Sequence, residues 1–98
     1  MTTGRTMTTK HVLVSGIVQG VGYRAWARQE ATRRNLTGWV RNCADGRVEA
    51  LLEGEADAVD DMLNAMHQGP ALAQVDRILV EEGNNDDDGP RSTHFEVT

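Results

Sequence analysis

This 98-residue chain has little of most things that betray a function by composition. It holds one cysteine, Cys43, which excludes an internal disulfide and fits a reducing compartment, so a cytoplasmic location is expected. Three scattered histidines beside that cysteine supply no metal-ligand spacing. No apolar run reaches the about 18 residues that a membrane span needs, and the polar first ten residues lack the apolar segment of a secretory signal. Only four aromatic residues occur (Tyr23, Trp26, Trp39 and Phe95), few for the stacking face of an RNA-binding sheet. No internal repeat is present, and the length suits one small domain with a modest core.

Charge is unevenly spread. Residues 1–47 carry eight basic side chains against two acidic ones, whereas residues 48–98 carry two against thirteen. The net charge of −5 therefore conceals a basic first half. Such a half can concentrate a negative ligand, or the split can be accidental.

What is present centres on Gly16-Ile17-Val18-Gln19-Gly20-Val21-Gly22-Tyr23-Arg24. A β-favouring run from His11 to Val14 enters it, and a helix-forming run from about Ala25 to Arg34 leaves it. A strand, a glycine loop and a helix start place free helical amides where an anion can reach them. Arg24 adds a planar, permanently charged fork. Gln19, Gly20, Val21, Gly22, Tyr23 and Arg24 are thus read as a phosphate cradle. The plain alternative is a glycine-rich turn.

In order, residues 1–9 read as a disordered tail and residues 10–98 as the domain. The first strand is expected over Lys10–Val18, with Val12 and Val14 on one face. Asn35 is a plausible stop for the helix that follows the loop. A second strand is expected over Leu36–Cys43 and a third over Arg47–Gly54, joined by the hairpin signal Asp45-Gly46. Val59, Met62, Leu63 and Met66 place a second helix over Ala56–Gln68, stopped by Gly69-Pro70. A fourth strand is expected over Val75–Glu82, then an acidic loop over 83–92, then a short strand over Thr93–Thr98 with Phe95 and Val97 inward. The three aspartates of that loop do not follow the EF-hand spacing. The order β-α-β-β-α-β implies an α+β, ferredoxin-like fold, with two helices on one face of an antiparallel sheet and a short extra C-terminal strand.

In that topology the end of the second strand comes near the glycine loop, and Asn42 sits there. Its amide can both donate and accept, so beside a bound phosphate it could hold a water. Taken alone, a capping role before the turn is the commoner use of such an asparagine.

Two motifs together resemble those of the acylphosphatases. Residues 16–24 match Gly-x-Val-Gln-Gly-Val-x-[Phe/Tyr]-Arg, and Gly38-Trp39-Val40-Arg41-Asn42 with Gly46, Val48 and Gly54 matches the second. The resemblance covers residues 10–98. It implies metal-free and cofactor-free hydrolysis of a small-molecule acyl phosphate to a carboxylate and inorganic phosphate. It carries the phosphate-binding role onto Arg24, the water-positioning role onto Asn42 and the backbone cradle onto residues 19–24. A monomer without nucleic-acid or membrane partners is expected. The length of the 83–92 loop and Thr98, where a basic residue is common, depart from the pattern. The alternative is a phosphate or acyl-phosphate binding module without turnover. Gly20 to Ala25 also satisfies a dinucleotide fingerprint, but the chain is too short for a doubly wound sheet.

Overall fold

The computed structural model describes residues 6–83 and 94–98. Its elements are β1 (Met7–Ile17), α1 (Tyr23–Arg33), β2 (Thr37–Asn42), β3 (Val48–Glu55), α2 (Ala56–Gln68), β4 (Gln74–Glu82) and β5 (Phe95–Val97). The five strands form one sheet in the order β4-β1-β3-β2-β5. This is the expected ferredoxin-like α+β arrangement, and β1 and β3 lie inside the sheet.

Alternation builds the two faces. Along β3 every second residue is buried, so Val48, Ala50 and Leu52 face the helices while Glu49, Leu51 and Glu53 face outward. Val12 and Val14 of β1 and Val40 of β2 join them beneath α1 and α2. Helix α1 contributes Ala27 and Ala31, small residues that let its backbone approach the sheet closely, and α2 contributes Val59, Met62 and Met66. Fully burying one such aliphatic or Met side chain is worth about 1.5–3 kcal/mol. The buried Tyr23 hydroxyl donates to the Met66 carbonyl at 2.8 Å, which ties the start of α1 to α2.

Several expectations need correction. The sheet is mixed, because β5 pairs parallel with β2 while the other three pairings are antiparallel. A strand returning from β4 runs opposite to it, and that direction is also the direction of β2. Strand β1 begins at Met7 rather than Lys10, since β3 runs on to Glu55 and offers partners to Met7, Thr8 and Thr9. Part of the expected tail is therefore strand; residues 1–5 lie outside the described residues. Phe95 is buried, and Val97, two residues on along the edge strand, is 37 % exposed because it lines an open cavity. The acidic loop beyond Gly83 and the expected strand start at Thr93 also lie outside the described residues. Among the described residues, no helix is long and apolar enough to cross a membrane.

Candidate functional site

The site forms where β1 gives way to α1. The β1–β4 register shifts between Ser15 and Gly16, and that bulge redirects the chain towards the helices. Val18 then plunges into the core. Gly22 caps α1 with φ 81° and ψ 17°, a left-handed conformation that a side chain adopts only with strain. No side chain caps this helix and its first turn holds no acid. Among the described residues, Trp26 is the first amide of α1 to find a backbone acceptor, the Gly22 carbonyl at 3.0 Å. The amides before it have no such acceptor and lie at the positive end of the helix dipole.

A cavity of about 230 Å³ opens there, lined by Val18, Gly20, Gly22, Tyr23, Arg24, Ala25, Asn42 and Val97. Arg24 comes from the first turn of α1. Its Nη1 donates to the Thr98 carbonyl at 3.0 Å, and the Thr98 amide donates to the Val40 carbonyl at 2.9 Å. One corner of the guanidinium is thus held by the end of β5, and its remaining donors are left for a ligand. Asn42 comes from the exposed end of β2, opposite Val48. Its side chain has no hydrogen-bond partner among the described residues.

The candidates named from sequence separate into two groups. Gly20, Gly22, Tyr23, Arg24 and Asn42 all line the cavity, whereas Gln19 and Val21 do not. Val21 packs partly against the core. The Gln19 side-chain amide is turned to the hairpin, donating to the carbonyls of Cys43 and Arg47. Tyr23 presents only its backbone to a ligand, because its ring is buried and burial pushes the phenol far above its usual range. Sequence reasoning missed Val18, Ala25 and Val97 in the wall and Thr98 as the anchor of Arg24. Thr98 lies 74 positions from Arg24, and no local pattern signals such a pairing.

Acids of the second half neutralise part of the basic first half: Lys10 meets Glu82, Arg34 meets Asp61 and Arg41 meets Glu49. Arg41 also lies over the Trp39 ring, 5.3 Å from its centroid, on the sheet face away from the helices. His11 shares Glu49 with it. Burial pushes the Glu49 carboxyl up, but the hydrogen bonds from His11 and Arg41 outweigh it and hold the group below its usual value. Asp45 is also held low, foremost by the Arg47 backbone N–H, and it fixes the β2–β3 turn. Arg24 meets no acidic side chain among the described residues, so its remaining donors stay available to an anion in the cavity.

Comparisons with known proteins agree with one another. A family model described as Acylphosphatase matches residues 10–97. The chain is 49 % identical over 79 residues to an acylphosphatase of Rhodopseudomonas palustris, covering 81 % of this chain and 80 % of that one. It is 52 % identical over 73 residues to an acylphosphatase of Acidiphilium cryptum, covering 74 % and 80 %. The solved structure of an acylphosphatase from Coxiella burnetii superposes with a TM-score of 0.87 at 35 % identity, over 99 % of this chain and 100 % of that one.

Proposed function

The chain belongs to the acylphosphatase family, and from that premise we propose how its own residues hydrolyse an acyl phosphate. Residues 10–98 act as one catalytic domain. The phosphoryl group of a small acyl phosphate sits in the cavity at the start of α1. The free amides of the 20–24 loop and the guanidinium of Arg24 hold its oxygens. Asn42, from the opposite wall, accepts a hydrogen bond from a water and aims its oxygen at phosphorus. The observation that carries this reading is the meeting of Arg24 and Asn42, from two separate elements, in a single cavity.

The chemistry asks for little more. The water oxygen bonds to phosphorus as the phosphorus–oxygen bond to the acyl group breaks. The electron pair leaves on a carboxylate, a weak base that needs no acid to depart. The water's protons pass to oxygens of the phosphate product. Catalysis of this kind is chiefly positioning and charge stabilisation. The paired His11 and the distant His67 and His94 take no part.

Hydrolysis of benzoyl phosphate in the presence of a chelator tests the roles. Turnover is expected in the parent chain. Arg24→Ala and Asn42→Ala are each expected to lose about 10²–10³-fold, the usual cost of removing one fixed donor from such a site. A folded variant with near-parental turnover would remove that residue from the mechanism. A folded parent that binds phosphate without turnover would leave a binding module. We further propose that the chain works as a monomer in the cytoplasm, which the free Cys43 suits. Sedimentation at the mass of two chains would overturn the first part.

A further inference from the structure

Gln19 belongs to the phosphate loop by sequence but not to the cavity wall. Its Nε2 donates to the Cys43 carbonyl at 2.8 Å and to the Arg47 carbonyl at 2.9 Å. An amide nitrogen carries two hydrogens, so both are engaged. The two acceptors face each other across the base of the hairpin, where the Cys43 amide also donates to the Arg47 carbonyl at 2.8 Å. Asn42 immediately precedes Cys43 in the chain. One side chain therefore ties the loop that carries the cradle to the strand end that carries Asn42.

We propose that Gln19 is a positioning residue that fixes the separation between the bound phosphoryl group and the water held by Asn42. The proposal rests on the functional reading above. Asn42, paired to Val48 at the end of β2, and the turn that follows it are exposed, and among the described residues the Asn42 side chain has no hydrogen-bond partner. The hairpin's own bonds, Gly46 amide to Cys43 carbonyl at 3.2 Å and Arg47 amide to Asp45 Oδ1 at 3.1 Å, hold the turn together but not to the loop. The Gln19 amide supplies that link. An ångström of misplacement in a near-attack geometry costs about 10²-fold. Phosphate affinity depends on Arg24 and the loop amides, which the Gln19 side chain leaves alone. The tie therefore acts on kcat and not on the hold on phosphate.

Three readouts on the full chain test this. Gln19→Met keeps the length and loses both hydrogens; it is expected to lower kcat about 10–100-fold. The competitive inhibition constant of inorganic phosphate should stay within about threefold of the parent. Placed on Asn42→Ala, the same substitution should cost less than about threefold more, because the group it positions is already gone. A tenfold weaker phosphate constant would make Gln19 a phosphate ligand, and equal losses in both backgrounds would make it a general support of the fold; either overturns the proposal. Should the variant not fold, the parent decides by NMR. The two Gln19 side-chain amide protons are expected to exchange slowly and to hold their shifts at saturating inorganic phosphate. Rapid exchange, or large shifts on phosphate addition, would overturn the tie. A parent without turnover ends the functional reading, whereas unprotected Gln19 protons in an active parent end only this one.

Discussion

At its N-terminal end helix α1 carries Arg24, which touches the main-chain oxygen of Thr98 and no acidic side chain among the described residues. At its C-terminal end the same helix carries Arg34, whose Nη1 meets Glu30 Oε1 at 2.6 Å and whose Nε meets Asp61 Oδ2 at 2.7 Å. Arg33 shares Glu30 at 2.9 Å. The helix dipole favours cations at the second end and opposes them at the first. The paired arginine thus sits where the field already welcomes it, and the unpaired one sits where two positive potentials add. Arg34 is neutralised, whereas Arg24, in the proposed site, is kept short of acidic partners at some cost to the free protein.

The largest effect should come from making the first end resemble the second. Ala25 is exposed in the first turn and lines the cavity. Ala25→Glu would place a carboxylate in the cavity proposed to hold the substrate phosphate. Like charges about 5 Å apart at an effective dielectric near 20 repel by about 3 kcal/mol, about 10²-fold in kcat/KM. The same change should raise helix stability by about 0.3–1 kcal/mol. Activity and thermal stability should therefore move in opposite directions, and a variant that keeps its kcat/KM would erase the contrast between the ends.

A smaller effect tests the backbone that opens the site. A Cβ at Gly22 would meet nothing within 4 Å, so Gly22→Ala probes only the left-handed conformation. Its cost is about 1–2 kcal/mol, a fall of about 4–8 °C in Tm per kcal/mol for a domain of this size. Turnover should fall with it, because relief of the strain moves the amides that follow. An unchanged Tm in calorimetry would show that the cap is not strained.

The smallest effect concerns the other end. The Arg34 hydrogen bond foremost, then the Arg33 and Arg34 charges, hold the Glu30 carboxyl below its ordinary value against the opposing push of burial. A carboxylate lowered in this way stabilises the fold above its unfolded pKa, and that contribution fades as pH falls through the folded value. Glu30→Gln should cost about 0.5–1 kcal/mol near neutrality, with turnover unchanged. Its deficit against the parent should shrink in acid. Urea unfolding at neutral and acid pH measures both, and a deficit that grows in acid would reverse the assignment.

Which parts of this were legible in the sequence follows from the range of the forces concerned. Helix α2 has the bounds read from its pattern, since Val59, Met62, Leu63 and Met66 repeat on one face and Gly69 ends the run. The glycines marked the loop because the left-handed conformations at Gly20 and Gly22 need residues without a side chain. The parallel β5 and the early start of β1 depend on partners far along the chain, which no local window contains. Gln19 is the instructive case. Its residue type and its place in the loop suggested a ligand contact, but a side chain's direction depends on which acceptors the fold brings near. Here those are two hairpin carbonyls.

The anchor of Arg24 has a consequence in time. Chains emerge from synthesis N-terminus first, so the strand, loop and helix of the site exist long before the residue that holds the arginine's corner. The hydrogen bond to Thr98 closes a separation of 74 positions, and contacts of such range form late because the intervening chain must first be ordered. A nascent chain that already displays the whole glycine loop has yet to gain a steadied guanidinium, and gains it only once residue 98 has joined the sheet.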